Sequence, residues 1–343
     1  MDGDCPLRAR AGEQIGLLTR RQSGATVQRR WRQRLLAWYD RSARDLPWRQ
    51  DRDPYRVWLS EVMLQQTRVA AVLEHYRVFL QRFPTVQKLA AARESSVLAA
   101  WSGLGYYRRA RMLHAAAKTI VNQHRGQFPG KVAELRKLPG IGRYTAAAIA
   151  SIVFDIPAAV VDGNVERVLE RAFKAGPAEK DYWSVAETLL SRARPGDFNQ
   201  AMMELGATVC LPRQPQCSIC PVYDLCATRG TRERPKRAVR QRRREICYAL
   251  DRRGSSIRLV QRSNRLSLMP GMWELPEIPM PITNGSGRSG LTLRHSITVT
   301  DYVVRVIEQR VQSGSGQWVE SQRIGQLPLT GLARKILRRA QVI

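Results

Sequence analysis

An all-helical domain, a basic connector and a smaller mixed α+β domain form the fold class this sequence predicts, and three observations carry it. From Trp31 to about Cys226, apolar residues recur at helical spacing between short Gly and Pro breaks. Residues 227–245 then read ATRGTRERPKRAVRQRRRE, nine of nineteen being Arg or Lys. With almost nothing apolar, they predict an exposed linker. Beyond it, ICYAL, SIRLVQ, SITVTDYVVRVIEQRV and GQWVES favour β-branched residues and alternation, with DRRGSS as a turn between the first two.

The composition narrows the function class. A chain of 343 residues suggests two domains with apolar burial ample for folding. Its 57 Lys and Arg against 29 Asp and Glu give a net charge of +28, a field that suits a polyanion and above all nucleic acid. No stretch approaches a membrane-spanning length, and the N-terminus lacks an apolar signal core. The expectation is a soluble cytoplasmic protein, bacterial and nucleoid-associated, acting as a monomer without a membrane partner. Six cysteines are too few for an extracellular disulfide framework in a chain this long.

Taken in order, residues 1–30 mix Arg, Gly, Gln and Ser without a period and read as a flexible basic arm. Residues 31–226 form the helical domain. Asp53 followed by Pro54 marks a helix start, an N-cap before a residue suited to the first turn. In the helix they launch, VWLSEVMLQQT, Glu61 is a lone carboxylate whose helical neighbours are Val57, Trp58, Leu64 and Gln65. A glutamate on a solvated face is the ordinary reading, yet the segment offers little polar face for it to join.

Residues 135–150, LRKLPGIGRYTAAAIA, place a Pro139-Gly140 turn and Gly142 before a new helix. The glycines permit a tight interhelical turn, and free amides at the new N-terminus suit a DNA phosphate. A plain helix-turn-helix connector would look similar. In VVDGNVERVL, Asp162 precedes a Gly-Asn turn and a helix, so helix capping is its simplest role. Cys210, Cys217, Cys220 and Cys226 follow Cx6Cx2Cx5C spacing, a grouping too tight to arise from packing alone. Zinc and iron-sulfur both accept four thiolates, and having one CxxC rather than two leans toward a [4Fe-4S] cluster.

These motifs, in this order, resemble the helix-hairpin-helix DNA glycosylase superfamily, and within it the MutY family of adenine glycosylases. LPWR, PYRVWLSEVMLQQTRV, GLGYYRRAR, LPGIGRYTA, VVDGNVERVL, FNQAMMELG and the cysteine loop carry the likeness from about Trp31 to Cys226. The resemblance implies an all-α helix-hairpin-helix glycosylase domain with an iron-sulfur cluster loop, followed at 246–343 by a smaller α+β Nudix-like domain. It implies excision of adenine from A:8-oxoguanine or A:G mispairs in double-stranded DNA, with Glu61 protonating the leaving base. Apolar surroundings would keep that acid protonated near neutral pH.

Asp162 matches the residue that meets positive charge on the sugar, electrostatically or by transient bonding; both remain open. Asn164 and Tyr144 match supporting positions in the same pocket. Relatives that nick the backbone carry lysine where Tyr144 stands, which implies a monofunctional enzyme. Gln66 and Tyr106 would wedge into the duplex, with Thr67 and Leu104 touching the lesion. Trp48, Arg49, Leu64 and Glu204 would surround the flipped adenine. Gly140 and Gly142 would hold phosphate.

In the second domain, LVQRSNRLSLMPGMWELPEI resembles the MutT-like domain of that family, without the paired glutamates of a nucleotide hydrolase. The family's Phe-Ser-His triplet is replaced by Ile297, Thr298 and Val299 after His295, leaving Thr298 as the candidate lesion contact. Two alternatives stand beside the adenine glycosylase: a thymine or uracil mismatch glycosylase of the same superfamily, and a non-catalytic iron-sulfur protein that binds DNA.

Overall fold

The structure, a computed structural model, describes residues 7–175, 181–230, 242–266, 268–280, 290–297, 300–311 and 316–343. Its first helices are α1 (Leu7–Ser42), α2 (Pro54–Leu64), α3 (Val69–Arg82), α4 (Val86–Ala90), α5 (Glu94–Trp101) and α6 (Arg108–His124). They are followed by α7 (Val132–Leu135), α8 (Arg143–Phe154), α9 (Gly163–Phe173), α10 (Tyr182–Leu189) and α11 (Pro195–Thr208). The chain divides into two compact units, Met1–Glu61 with Phe128–Arg234, and Val62–Gln127 with Pro235–Ile343.

In the first unit, residues 7–30 are not the irregular arm expected but belong to α1. That stretch has no proline and is rich in Ala, Leu, Gln and Arg, which lose little side-chain freedom in a helix. Further along α1, Trp31 and Leu35 are fully buried against α9, α10 and α11. Each contributes roughly 1.5–3 kcal/mol of apolar burial. Asp53 caps α2 as its sequence suggests, accepting a hydrogen bond from the Arg56 amide at 2.8 Å. Helix α8 is buried from Thr145 to Ile152, and its small residues let a neighbour come close. A Cβ at Gly196, near the start of α11, would lie 2.6 Å from the Ser151 carbonyl oxygen, so only glycine permits that crossing.

The second unit joins α3–α6 to the C-terminal α+β region. There β1 (Arg242–Ala249), β5 (Glu277–Ile278), β6 (Gly290–Ile297) and β7 (Thr300–Ile307) form a sheet in the order β5-β1-β7-β6. The β1–β7 pair is parallel and the other pairs antiparallel. The second sheet orders β2 (Arg252–Arg253), β3 (Ser256–Gln261) and β4 (Trp273–Glu274), with β8 (Gln317–Glu320) also on β3. Helices α12 (Ser321–Ile324) and α13 (Gly331–Arg339) complete the region, and Ile336 and Leu337 of α13 are fully buried in its core. The end of the expected linker is strand: Arg242 to Glu245 pair with Thr300 to Val303. Backbone pairing there overrides exposed, charged side chains.

The helices of the expected domain at 31–226 fall in both units, and hydrogen bonding ties α3–α6 to the C-terminal region. Ser102 Oγ and Tyr107 Oη both donate to the Leu329 carbonyl at 2.9 Å, filling both of its lone pairs. Arg334 Nε donates to Ser102 Oγ at 2.9 Å, and Arg111 reaches the Pro270 carbonyl at 2.7 Å. Among the described residues no helix is long and apolar enough to cross a membrane. Tyr107→Phe removes one of the two donors to Leu329 and leaves the other. It is expected to lower unfolding free energy by about 1 kcal/mol in urea titrations.

Candidate active site

Glu61 lies on α2, 7% exposed, and the walls around it come from distant helices. Tyr144, in the first turn of α8, donates its hydroxyl to Glu61 Oε2 at 2.8 Å and also lies 3.1 Å from the Met203 sulfur of α11. Both residues pack on a cluster of Val57, Ala147, Ala148, Ile152 and Val160. Burial pushes the Glu61 carboxyl up to about 7; the Tyr144 hydrogen bond and the Arg49 charge oppose the rise, and the Asp162 charge adds to it. Burial and the two carboxylates push the Tyr144 hydroxyl well above its usual range, so it remains a donor. The arrangement is a carboxyl that keeps a substantial share of its proton at neutral pH, held by a hydroxyl and within the field of a second carboxylate.

That second carboxylate, Asp162, is the N-cap of α9. Oδ1 accepts from the Asn164 amide at 3.0 Å and the Val165 amide at 2.8 Å, while Oδ2 accepts from Asn164 Nδ2 at 2.9 Å. Capping and chemistry are thus one geometry, since three N–H donors aim the carboxylate. Asn164 is fixed in turn by Arg167, which donates to Asn164 Oδ1 at 2.8 Å, to Gly206 O at 2.7 Å and to Cys210 O at 2.8 Å. Gly206 was not singled out from the sequence, yet a Cβ there would lie 2.6 Å from Asn164 Cβ. Two turns along α9, buried Arg171 donates to the Cys210 sulfur at 3.4 Å, Leu211 O at 2.7 Å and Pro212 O at 2.8 Å. Helix α9 therefore ties Asp162 to the cysteine loop.

The four cysteines are free thiols within reach of one another's charge. Burial pushes Cys220 up to about 11, with Cys210, Cys226 and Cys217 adding to the rise. Four thiols on one loop, each within the others' field, are the donor set that an iron-sulfur cluster takes.

Around the acid, Trp48 is buried and Arg49 donates to Glu204 Oε2 at 2.8 Å. Glu204 is fully buried and also takes three bonds from Arg44, two from the guanidinium at 2.6 and 2.8 Å and one from the backbone amide at 3.2 Å, so both its oxygens are occupied. Burial raises its carboxyl, but the two arginines outweigh that and hold it below the usual range. Rather than lining a pocket directly, Glu204 anchors Arg49. Arg44 went unnoticed because nothing local marks it. Gly140 has φ +74°, as the hairpin turn requires, and a Cβ at Gly142 would meet nothing within 4 Å.

The remaining candidates lie in the second unit. Gln66 and Tyr106 are exposed, at φ +56° and +47°. Thr67 and Leu64 are half-buried, whereas Leu104, expected at the lesion, is buried. Arg109, another residue the sequence did not single out, hydrogen-bonds to backbone carbonyls that lead into both of these turns. His295 lies on β6 opposite Tyr302, and Thr298 lies outside the described residues.

Residues 59–195 match the family model of the HhH-GPD superfamily of base excision DNA repair proteins. Residues 210–226 match the iron-sulfur binding domain of endonuclease III, so that loop is a [4Fe-4S] site. An adenine DNA glycosylase of Rattus norvegicus is 51% identical over 211 residues, covering 57% of this chain and 41% of the relative. One of Arabidopsis thaliana is 40% identical over 316 residues, covering 77% of this chain and 49% of the relative. The chain thus spans about half the length of the curated relatives it matches.

Among solved structures, a thermostable thymine-DNA glycosylase is 29% identical with a TM-score of 0.56, covering 60% of this chain and 97% of that one. A trapped endonuclease III–DNA covalent intermediate shares the fold at 24% identity and TM-score 0.52, covering 59% of this chain and 94% of that one.

Glu61 keeps its proton to about 7 in the fold, whereas an ordinary glutamate releases it at 4.5. Between those values the folded state binds more protons than the unfolded chain, so this group's contribution to stability is lost as pH rises through 7. Glu61→Gln escapes that loss. Its stability relative to wild type is expected to grow between pH 5 and pH 8, by on the order of 1–3 kcal/mol in paired denaturant melts. A difference that stays constant with pH would show the carboxyl to be solvated.

Proposed function

We propose that the protein is a base-excision glycosylase that hydrolyses the N-glycosidic bond of adenine mispaired with 8-oxoguanine or guanine in double-stranded DNA, leaving an abasic site. The observation that carries this reading is Glu61, a buried carboxyl raised to about 7 and bonded to Tyr144. A base leaves a sugar readily only once it is protonated, and a carboxylic acid that is neutral near pH 7 is matched to that task. Glu61 gives its proton to a ring nitrogen of the flipped adenine while Tyr144 holds the carboxyl in place. Asp162, aimed by three N–H donors, faces the positive charge that develops on the deoxyribose. The named activity of the curated relatives and the HhH-GPD match support the same reading.

Tyr144 supports a monofunctional reaction. A phenol held to a carboxyl offers no amine to form a Schiff base with the opened sugar. The net charge of +28 suits a duplex backbone, with phosphate received at the hairpin of Gly140 and Gly142. Gln66 and Tyr106 fill the space the base leaves, and Thr67 contacts the opposite lesion. The four thiolates hold the [4Fe-4S] cluster, which when bound cross-links the loop that Arg167 and Arg171 attach to α9. The C-terminal α+β region, with its mixed sheet and closing helix, is read as a Nudix-like lesion-recognition domain acting in a monomeric, cytoplasmic protein.

Single-turnover assays on duplexes containing A:8-oxoguanine, A:G, T:G and U:G pairs test this reading. Adenine release from the first two is expected, and release of thymine or uracil alone would favour the mismatch-glycosylase alternative. Glu61→Gln should bind A:8-oxoguanine duplex within a few-fold of wild type and lose base release by at least about 100-fold. Loss of both together would assign Glu61 to binding instead.

Tyr144→Lys places an amine beside the sugar. It is expected to add strand nicking and a borohydride-trappable protein–DNA complex, neither of which the wild-type chain should give in quantity.

A further inference from the structure

Arg109, the second residue of α6, is a half-buried cation that no carboxylate among the described residues pairs with; burial pushes its guanidinium down to about 10. Its contacts are nearly all backbone oxygens. One terminal nitrogen donates to the carbonyls of Val62 and Met63 at 2.9 Å each, and to that of Gln65. The other donates to Thr67 Oγ1 at 3.0 Å, Leu104 O at 3.2 Å and Gly105 O at 3.4 Å. The rings of Trp101 and Tyr106 lie with their centroids 5.4 Å from it.

These acceptors explain the cation's place. Val62 and Met63 lie in the last turn of α2, where carbonyls lack helical partners and carry the negative end of the helix dipole. A planar fork can satisfy several such oxygens at once, which an ammonium cannot. The other acceptors, on Gln65 and Thr67 and on Leu104 and Gly105, bracket Gln66 at φ +56° and lead into Tyr106 at φ +47°, two residues with left-handed backbone. Each costs roughly 1–2 kcal/mol relative to glycine. Tyr106 is 54% exposed, and Gln66 is exposed too, so burial of their side chains does not hold either turn. Arg109 does, through oxygens on both sides of Gln66 and through the two carbonyls that lead into Tyr106.

We propose that Arg109 is the positioning residue that holds Gln66 and Tyr106 as one preformed wedge, so that the duplex is pried open by turns already in place. This rests on reading the chain as a base-flipping glycosylase. Preforming the wedge removes the ordering cost from the step in which the base leaves the stack.

The test uses the full chain and a duplex with 2-aminopurine, which brightens on unstacking, in place of the target adenine. Arg109→Lys keeps the charge and loses the fork. It should slow the stopped-flow brightening at least about 10-fold while leaving two quantities unchanged: affinity for a duplex with a stable abasic-site analogue, which has no base to extrude, and the pH midpoint of adenine release. Wild-type extrusion, an equal loss on the abasic duplex, or a shifted midpoint would each overturn the proposal, the last two by showing general damage to α2.

Hydrogen exchange of the wild-type chain gives a second arm that needs no variant. The amides of Thr67, Leu104 and Arg109 already bond to the carbonyls of Leu64, Trp101 and Tyr106, and are expected to exchange slowly before DNA is added. Fast exchange that becomes slow only on binding would show the wedge to be formed by the duplex. Failure of the wild-type chain to release adenine would count against the functional reading alone, because extrusion and exchange are read without it.

Discussion

A carboxyl that must stay neutral at neutral pH, yet reach a substrate, constrains the whole of the first unit. Burial alone raises Glu61, but Arg49 stands near enough to pull it back toward ionisation. Burial outweighs that pull. By taking the Arg49 guanidinium at 2.8 Å, along with Arg44, Glu204 directs a nearby positive charge into its own pair. The fully buried Glu204 is compensated twice over, as a buried anion requires. Tyr144 then supplies the one hydrogen bond Glu61 needs without supplying a charge. The same small-residue face of α8 that admits α11 at Gly196 brings Tyr144 and Met203 together over the acid.

The second carboxylate is solved differently. Asp162 is aimed by the first turn of α9, and its position is only as firm as that helix. Arg167 and Arg171 make it firm: one bonds to Asn164 and Cys210, the other to Cys210, Leu211 and Pro212. A metal cluster on this loop would bear on Asp162 through mechanics: the four cysteines would hold it as thiolates, and the loop so fixed would be the abutment against which α9 rests. Gly206 allows the approach that seats Asn164.

Much of this was legible in the chain, for reasons that differ from residue to residue. Glu61 stood out because an acid is rare in an otherwise uncharged helix, and the cysteines because their spacing is improbable by chance. The cap at Asp53 and the cap at Asp162 are local events, readable from adjacent residues. Arg44, Arg109, Met203 and Gly206 carry no such mark. An arginine in a chain with 57 basic residues is invisible until its partner is known, and Arg44 meets Glu204 across 160 positions. The grouping of α3–α6 with the C-terminal region was hidden for the same cause, since Ser102 reaches Leu329 across 227.

By itself the sequence determined the starts of α2 at Asp53 and of α9 at Asp162, the change to strand in the C-terminal region, and which side chains have chemistry to offer. Periodicity, capping and ligand spacing act over a few residues, and that range is what a sequence displays. Whether Glu61 is an acid or an ordinary solvated carboxylate was decided only in three dimensions. Its proton affinity is set by Tyr144, 83 residues away, by Asp162, and by the exclusion of water between helices that only the packed chain brings together.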